Sequence, residues 1–385
     1  MRAFQSSLFL TLAVAGTVAS YACSASDSEA DVSLDLSQRD GPYELYYDDG
    51  QLEEKGTYKG GERDGSYESY HQNGQPRIKT TYKGGERDGQ YQVYNETGRL
   101  TEEMMYKEGV ANGPFERFYG DGQLWISTTY KNGEFDGLYE RYWDNGQLEA
   151  KEIYKAGELD GPSEHYYRTG QLWVKLPYQN GRFDGLYERY YENGQLETKE
   201  TYKDGQLDGP SDHYYSTGLL WMKIPAKDGN FDGPFERYFE NGQLFERGTY
   251  RAGERDGPYE RYRDNGQLEG KETYKAGMAD GPYERYHENG QLWIKGTYNA
   301  GEQDGPYESY HENGQLWIKG TYKAGERHGP YESYHENGQL WVKATYKAGE
   351  RDGAYEVYRE NGQLQESGMY RAGQRVGSEM QLQRN

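Results

Sequence analysis

A repeat of 24 residues constrains this chain more than any other feature. Its clearest copy, residues 281–304, reads GPYERYHENGQLWIKGTYNAGEQD, and glycine recurs every 24 residues from Gly41 to Gly377 without an insertion or deletion. This gives fourteen full units over residues 41–376 and a partial unit over 377–385, which we expect to act as a C-terminal cap. Because each unit of a repeat array contacts chiefly its neighbours, we expect one elongated array rather than several globular domains.

Each unit has the pattern of a β-hairpin. With the opening glycine as position 0, glycine also occupies positions 9 and 20 in all fourteen units, which predicts positive φ angles there. Two runs rich in Tyr, Trp, Ile and Thr lie between these glycines, and neither shows a helical period. Asn-Gly at positions 8 and 9 is a strong hairpin signal. The sequence therefore predicts an all-β fold, an elongated single-sheet array of antiparallel β-hairpins.

Loop length sets the register of each hairpin, and the sequence allows two versions. A two-residue Asn-Gly loop pairs positions 5 with 12 and 3 with 14, so that Glu284 faces Lys295. Position 3 is acidic in thirteen units and position 14 is basic in eleven, which favours this register because opposite charges across a strand pair attract. A three-residue loop would instead place Tyr286 opposite Leu292.

The repeated columns resemble the MORN repeat family, in particular its longer bacterial variant. That variant reads G-x-x-x-x-Y-x-x-N-G-x-L, followed by a tyrosine, K-x-G and a closing D-G. The matching residues of one unit are Gly281, Tyr286, Asn289, Gly290, Leu292, Tyr298, Gly301, Asp304 and Gly305. The resemblance implies stacked antiparallel hairpins, and a scaffold that associates with proteins or membranes. Some bacterial members of this group are antitoxin-like, and the present chain most resembles an antitoxin-like or lipoprotein group.

The N-terminal segment differs from the array. Residues 1–22 contain Arg2, an apolar run at 8–18 that is too short to span a bilayer, and small residues, which is typical of a secretory signal. Ala22-Cys23 resembles a bacterial lipoprotein cleavage site, so we expect lipidation of Cys23, the only cysteine; ordinary signal cleavage is the alternative. Residues 23–40 predict a flexible acidic tether. The expected location is the cell envelope, at the outer membrane of a Gram-negative cell, otherwise periplasmic or secreted.

Charge and hydropathy limit the partners. The net charge is −21, which argues against nucleic-acid binding and against adsorption on anionic lipid. The chain therefore meets a membrane only through its N-terminal anchor. A mean hydropathy of −1.20 and 42 tyrosines indicate a core made mostly of tyrosine rings rather than aliphatic side chains. We expect the charge to keep the array soluble and monomeric.

Tryptophans at position 12 form the candidate binding surface. The two-residue loop places them on the same face as the position-5 tyrosines, where they would form an aromatic stripe that docks a protein, stacks on sugar rings or completes a thin hydrophobic layer. The candidate residues are Trp125, Trp173, Trp221, Trp293, Trp317, Trp341, Tyr286, Tyr310 and Tyr334.

Two related units depart from the pattern. In the units that open at Gly161 and Gly209, serine replaces the first aromatic residue, and Pro177 or Pro225 enters the second strand. Residues 137–184 and 185–232 resemble each other as a 48-residue duplication. Because proline removes a ladder donor, we expect a bulge or bend around 161–232. This region is either a recessed binding site or tolerated drift.

No residue pattern predicts catalysis, a cofactor or a metal site. The histidines at positions 4 and 6 vary with Tyr and Arg between units, as surface residues do, and no cysteine accompanies them. The carboxylates recur in every unit, so no pair is distinguished as acid and base. The chain is therefore predicted not to be an enzyme.

The leading functional hypothesis is a non-enzymatic scaffold at the bacterial cell envelope that presents an extended β surface to protein partners. The alternative is a carbohydrate or cell-wall binding module that uses the tryptophan and tyrosine stripe on envelope polysaccharide. A third hypothesis is an antitoxin-like intracellular binder, which requires the signal prediction to fail. Exposed tryptophan faces flanked by polar groups would favour a glycan, and a broader apolar strip would favour a protein.

Overall fold

The computed structural model describes residues 40–376, and every regular element in that range is a β-strand. Each unit contributes a first strand at positions 0–5, a second strand at positions 11–18 and a short strand that begins at position 21. The first strands are Gly41–Tyr46, Gly65–Tyr70, Gly137–Tyr142, Gly161–Tyr166, Gly185–Tyr190, Gly233–Tyr238, Gly257–Tyr262, Gly281–Tyr286, Gly305–Tyr310 and Gly329–Tyr334. Four further strands each join a short strand to the next first strand: Glu86–Tyr94, Val110–Phe118, Gln206–Tyr214 and Glu350–Tyr358.

The remaining strands complete one sheet. The second strands are Leu52–Lys59, Pro76–Lys83, Leu100–Lys107, Leu124–Lys131, Leu148–Lys155, Leu172–Gln179, Leu196–Lys203, Leu220–Lys227, Leu244–Arg251, Leu268–Lys275, Leu292–Asn299, Leu316–Lys323, Leu340–Lys347 and Leu364–Arg371. The separate short strands are Glu62–Arg63, Glu134–Phe135, Glu158–Leu159, Arg182–Phe183, Asn230–Phe231, Glu254–Arg255, Met278–Ala279, Glu302–Gln303, Glu326–Arg327 and Gln374–Val376.

These 38 strands of the described range form a single open antiparallel sheet, which confirms the predicted fold class. Each second strand pairs with the first strand of its own unit on one side, and with the short strand and the first strand of the next unit on the other, as the Gly281 and Gly305 units illustrate. The short strand of each unit was not predicted from the sequence.

The Asn-Gly loop contains three residues, which is the second of the two versions that the sequence allows. In the Gly281 unit, the His287 amide donates to the Gln291 carbonyl over 2.8 Å, and the Gly290 amide donates to the His287 carbonyl over 3.0 Å. Gly290 has φ 83°, so the loop is a type I turn followed by a left-handed glycine. A true two-residue turn lies at Ala300-Gly301 instead, where both φ angles are positive, 49° and 88°. It reverses the chain into the short strand.

A β-bulge at position 12 reconciles the loop with the charge pairs. Tyr286 faces Leu292, as a three-residue loop requires, whereas Glu284 faces Lys295, as the charge pattern predicted. Both pairings hold because Trp293 is the additional residue on its strand and has no partner across the hairpin. Every hairpin in the described range shows a register shift at the same place, between positions 4 and 5, as the first and last hairpins illustrate.

The bulge and the strand alternation divide the side chains between two faces. The packed face carries positions 2, 4, 13, 15 and 17, and every buried residue of the described range occupies one of these positions. Its core cluster contains Ile224, Phe235 and Tyr259. The ladder face carries positions 1, 3, 5, 14 and 16. Rings at positions 2 and 17 meet edge to face in most units, as for Tyr67 and Tyr82 at 5.7 Å, so position 2 is a core column that the sequence analysis overlooked.

The prolines of the divergent units add no bulge to their hairpins, so the expected bulge at these residues was wrong. Pro177 faces Pro162, and Pro225 faces Pro210, in the same register as the threonines of other units. The other edge of the second strand pairs with the next unit, and this pairing skips position 16 in other units too. Thr201, for example, has no partner there, although Glu200 and Tyr202 are paired. A missing ladder donor is therefore tolerated at this position.

Residues 1–39 and 377–385 lie outside the described range. The predicted signal segment, Cys23, nearly all of the tether and the C-terminal cap fall on these residues. Over residues 40–376, the structure contains no helix with the length and apolar character needed to cross a membrane.

Candidate binding surface

The bulge places the position-12 tryptophans on the packed face, at the edge beside the Asn-Gly loops. Trp293 packs against His287 with ring centroids 5.8 Å apart, and Trp317 packs against His311 at 5.6 Å. These histidines occupy position 6, whose side chains alternate with position 5 and therefore belong to the opposite face from the position-5 tyrosines. The predicted common stripe of tryptophans and tyrosines was wrong, because the bulge turns position 12 to the other side of the sheet.

The candidate tyrosines belong to the ladder face and are bound to acidic neighbours. The hydroxyls of Tyr310 and Tyr334 donate to Glu308 and Glu332 over 2.5 and 2.7 Å, and Tyr286 makes the equivalent bond to Glu284. Burial, followed by the bond to Glu332, raises the pKa of Tyr334 to about 12. All three rings are half-buried. The rings are held against the acidic residues of the ladder face and leave little free surface for a partner.

The six candidate tryptophans differ in exposure and in their packing partners. Trp293, Trp317 and Trp341 are 42%, 39% and 45% exposed, and each stacks on the position-6 histidine of its own unit. We call these three residues the tryptophan strip; they occupy equivalent places on alternate long strands, about 10 Å apart by strand spacing. Trp221 is 37% exposed, and Trp125 and Trp173 are half-buried.

An arginine of the same chain lies over some of the aromatic rings at position 12. The guanidinium carbon of Arg237 lies 5.6 Å from the Trp221 ring, and that of Arg261 lies 5.3 Å from the Phe245 ring. In both cases the arginine occupies position 4 of the following unit. At Trp125 the arginine is Arg117 of the same unit, at 5.2 Å. Such cation–π contacts cover one face of the ring.

In most units, the position-6 side chain connects the unit to the next. His287 Nε2 lies 2.9 Å from the Tyr310 carbonyl, and His311 Nε2 lies 3.2 Å from the Tyr334 carbonyl. Since a carbonyl can only accept, Nε2 carries the proton in these bonds. Tyr47 and Arg263 donate to the equivalent carbonyls in their units. His, Tyr and Arg at this position, whose variation resembled that of surface residues, therefore share the role of donor to the next unit, whereas Phe239 at the same position has no donor.

The family model of the MORN repeat variant matches thirteen segments that together cover most of the chain. The segments are 39–59, 63–83, 87–108, 111–132, 135–156, 159–180, 183–204, 231–252, 255–276, 279–300, 303–324, 327–348 and 351–372. This chain belongs to the MORN repeat variant family. The full MORN unit without a match opens at Gly209 and contains Pro225 and Ala226, yet its strands Gln206–Tyr214 and Leu220–Lys227 form as in other units. The structure thus contains all fourteen predicted MORN units.

Other comparisons add little to the family assignment. No curated protein matches the chain. The crystal structures of TcdB2-TccC3-Cdc42 and TcdB2-TccC3 are each 11% identical to it, with TM-scores of 0.15, and cover 85% and 87% of this chain. The TcdB2-TccC3-TEV structure is 10% identical, covers 86% and has a TM-score of 0.16. The MORN chain spans 23%, 24% and 21% of those chains, respectively.

Two divergent MORN units contain a buried cluster that the sequence analysis missed. Ser163 Oγ lies 3.1 Å from His165 Nε2 and donates to Glu152 over 3.3 Å, and His165 Nε2 is 3.4 Å from the same carboxylate. The equivalent distances at the Gly209 unit are 3.0, 3.2 and 3.5 Å. The prediction that these position-4 histidines are surface residues was wrong, because their side chains are 14% and 20% exposed. The 48-residue duplication in the sequence could have indicated that His165 and His213 occupy equivalent sites.

The cluster does not have the geometry of a nucleophilic triad. Serine and glutamate both approach the same ring nitrogen, so the carboxylate does not orient the imidazole from its far side. Ser163 is 1% exposed and offers no route for a substrate. Burial lowers the pKa of His165, and the nearby Arg141 acts in the same direction, whereas Glu152 opposes it. Within residues 40–376, no three His, Cys, Asp or Glu side chains are grouped to hold a metal ion.

Proposed function

We propose that this MORN array is a non-enzymatic scaffold of the bacterial cell envelope that binds a protein partner along the tryptophan strip. The observation that carries the proposal is the repetition of one exposed Trp–His stack in three successive units. Tryptophan is enriched where protein interfaces bury most of their energy, and it loses little conformational freedom when it is bound. In a chain with a mean hydropathy of −1.20, three exposed tryptophans in a row indicate an interaction surface.

The packing around the strip supports a rigid, extended binding edge. Trp317 stacks on His311, which is itself bound to the Tyr334 carbonyl of the next unit. The strip is therefore held in place by contacts that repeat with the array, and a partner that lies along it would meet the same side chains at regular intervals. Affinity would then accumulate over units rather than depend on one pocket.

Carbohydrate binding is the second candidate function. The exposed Gln291, Gln315 and Gln339 lie two positions before the strip tryptophans, so each ring is flanked by a polar hydrogen-bonding group. This combination of an exposed ring and a polar neighbour also suits a sugar. The strip continues into the half-buried Ile294, Ile318 and Val342, which gives it an apolar border and favours a protein.

The proposed envelope location rests on the N-terminal sequence. Arg2, the apolar run at 8–18 and Ala22-Cys23 support export and lipidation at Cys23. Replacement Cys23→Ser should move the protein from the membrane fraction of the native host to the soluble fraction of the same compartment. An unchanged fractionation would refute the lipid anchor, and retention of the uncleaved chain inside wild-type cells would refute export.

Photocrosslinking in the native host tests the binding role. A photoreactive residue that replaces Trp317 should yield a discrete protein adduct, which mass spectrometry identifies together with the crosslinked segment. Adducts only to envelope polysaccharide would support the carbohydrate module instead. If the variant is expressed normally and forms no adduct, binding at the strip is refuted.

A further inference from the structure

Two position-12 rings of the array, Trp221 and Phe245, are covered by an arginine of the following unit. Met222 pairs with Arg237 and Glu246 pairs with Arg261, so position 4 of each following unit lies beside position 13. From this place the arginine reaches back over the ring at position 12, at 5.6 Å for Trp221. The chain thus contains its own examples of a guanidinium seated on this site.

At the tryptophan strip the same place is occupied by small or apolar residues. Ser309 pairs with Ile294, Ser333 with Ile318 and Val357 with Val342, so none of the three can supply a cation to its strip tryptophan. The serines are 1% and 3% exposed.

No other basic group of the described range takes over this role. Arg285, the position-4 residue of the first strip unit, binds Glu272 over 2.8 Å. Across residues 40–376, the cation–π contacts with tryptophan involve Trp125, Trp143 and Trp221, and none involves the strip. Trp173 also has no arginine over it: Arg189 stands at position 4 of the following unit but binds Glu197 over 2.6 Å, and Trp173 is half-buried and packs against Tyr167.

Carboxylates border the strip on the loop side. Position 7 is an exposed glutamate in each strip unit and in the unit that follows: Glu288, Glu312, Glu336 and Glu360. These residues stand in the Asn-Gly loops; Glu288, Glu312 and Glu336 follow the position-6 histidines against which the tryptophans pack, and Glu360 follows Arg359. A net charge of −21 reinforces the negative potential. The combination of uncovered aromatic rings and carboxylates fits cations.

We propose that the tryptophan strip binds a basic, extended segment of the partner protein, whose arginine side chains occupy the places that Arg237 and Arg261 fill elsewhere in the array. This inference rests on the proposed protein-binding function and names the chemistry of its partner. Each guanidinium lies over one strip tryptophan and is balanced by the glutamates of the adjoining loops. Three equivalent places in register select a segment with several regularly spaced basic residues.

Synthetic peptides test this chemistry with the purified protein. The probe is an unstructured peptide with arginine at every third residue and serine between, because three extended residues span about 10 Å, the spacing of the strip tryptophans. Its control replaces each arginine with citrulline, which keeps the shape and removes the charge. Titration calorimetry and tryptophan fluorescence should show binding of the arginine peptide and at least tenfold weaker binding of the citrulline peptide. Absent binding of the arginine peptide, or equal binding of the two peptides, would overturn the proposal.

Two variants separate binding at the strip from general attraction to an acidic protein. The triple variant Trp293→Leu, Trp317→Leu, Trp341→Leu should bind the arginine peptide about tenfold more weakly. The double variant Ser309→Arg, Ser333→Arg keeps the tryptophans but supplies internal cations, and it should lose affinity similarly. Unchanged affinity in either variant, with circular dichroism confirming the fold, would overturn the proposal. If a variant unfolds, the single variant Ser333→Arg is measured instead, and its affinity for the arginine peptide should also fall.

The crosslink at Trp317 distinguishes this proposal from the broader function. A protein adduct whose crosslinked segment contains no basic residues would overturn the cationic segment and leave protein binding intact. Adducts only to polysaccharide would overturn both.

Discussion

The ammonium group of Lys295 lies 2.7 Å from the carboxylate of Glu308, which belongs to the next unit. In the backbone register, Lys295 also faces Glu284 of its own unit. On the other side of Glu308, Lys319 is 4.0 Å away. The charge pairs that alternate along the ladder face therefore do more than set the register of one hairpin. They link successive units.

Replacement Lys295→Met should raise the pKa of Glu308 towards its ordinary value. The hydrogen bond from Lys295 is the main cause that holds the pKa of this carboxyl low, ahead of the bond from Tyr310. A carboxyl with a lowered folded pKa contributes stability above its unfolded pKa, and this contribution is lost as the pH falls through the folded value. Because the lysine is 44% exposed, the loss at neutral pH should stay below about 1 kcal/mol.

An NMR titration of the Glu308 side chain measures this effect. Lys343→Met, which changes an equivalent position two units further along the array, is the matched control and should leave the Glu308 titration in place. An unaltered titration in Lys295→Met would contradict the assigned pairing.

Replacement Ala300→Gly should stabilise the array. Ala300 has φ 49°, a left-handed conformation that costs a residue with a Cβ and is free for glycine, so we expect a gain of about 0.5–1 kcal/mol. The same change at Ala276, Ala324 and Ala348, which share this turn position, should add to the gain. Urea denaturation measures it. Ala354→Gly, in the strand Glu350–Tyr358, is the control and should destabilise; a loss at both sites would refute the turn assignment.

Replacement Tyr259→Phe should destabilise the core by about 1–3 kcal/mol. Its hydroxyl donates to Glu246, and the two residues are 7% and 4% exposed, so the change leaves a buried carboxylate with one donor fewer. Arg237, 2.9 Å from Glu246, partly compensates the loss. Denaturant unfolding of Tyr259→Phe and of Tyr259→Phe with Glu246→Gln checks the assignment. Equal stability of wild type and Tyr259→Phe would show that the bond contributes nothing.

Mild acid should weaken the divergent units through their buried histidines. Burial holds the pKa of His165 and His213 below the usual value. The unfolded chain therefore binds protons near pH 6.5, where the folded chain does not, and stability falls as the pH drops below about 6.5. The double variant His165→Gln, His213→Gln should show a smaller loss of stability between pH 7 and 5.5, measured by urea denaturation at each pH. Parallel losses in the variant and the wild type would contradict this account.

The sequence predicted the architecture because the repeat left few alternatives. Glycine columns at positions 0, 9 and 20 all have positive φ in the structure, and the opposite charges of Glu284 and Lys295 were enough to pair their positions. The short strand after Ala300-Gly301 was missed because such strands are only two or three residues long, too short to show an alternating pattern.

The candidate surface was predicted less well, and one residue explains why. Trp293 is the additional residue of a bulge, and a bulge leaves no trace in a simple alternation of inward and outward side chains. Counting from the loop therefore assigned Trp293 to the wrong face. The buried contacts of His165 with Ser163 and Glu152 join residues from neighbouring units, which spacing within one unit does not reveal.

The central claim is that the tryptophan strip, rather than the ladder face, meets the partner. The most direct measurement places the same photoreactive residue in the native host at Trp317 and, separately, at Tyr310, which lies close by in the sequence but on the opposite face. The account predicts a protein adduct from position 317 and none from position 310. An adduct from position 310 alone, or equal adducts from both positions, would contradict it.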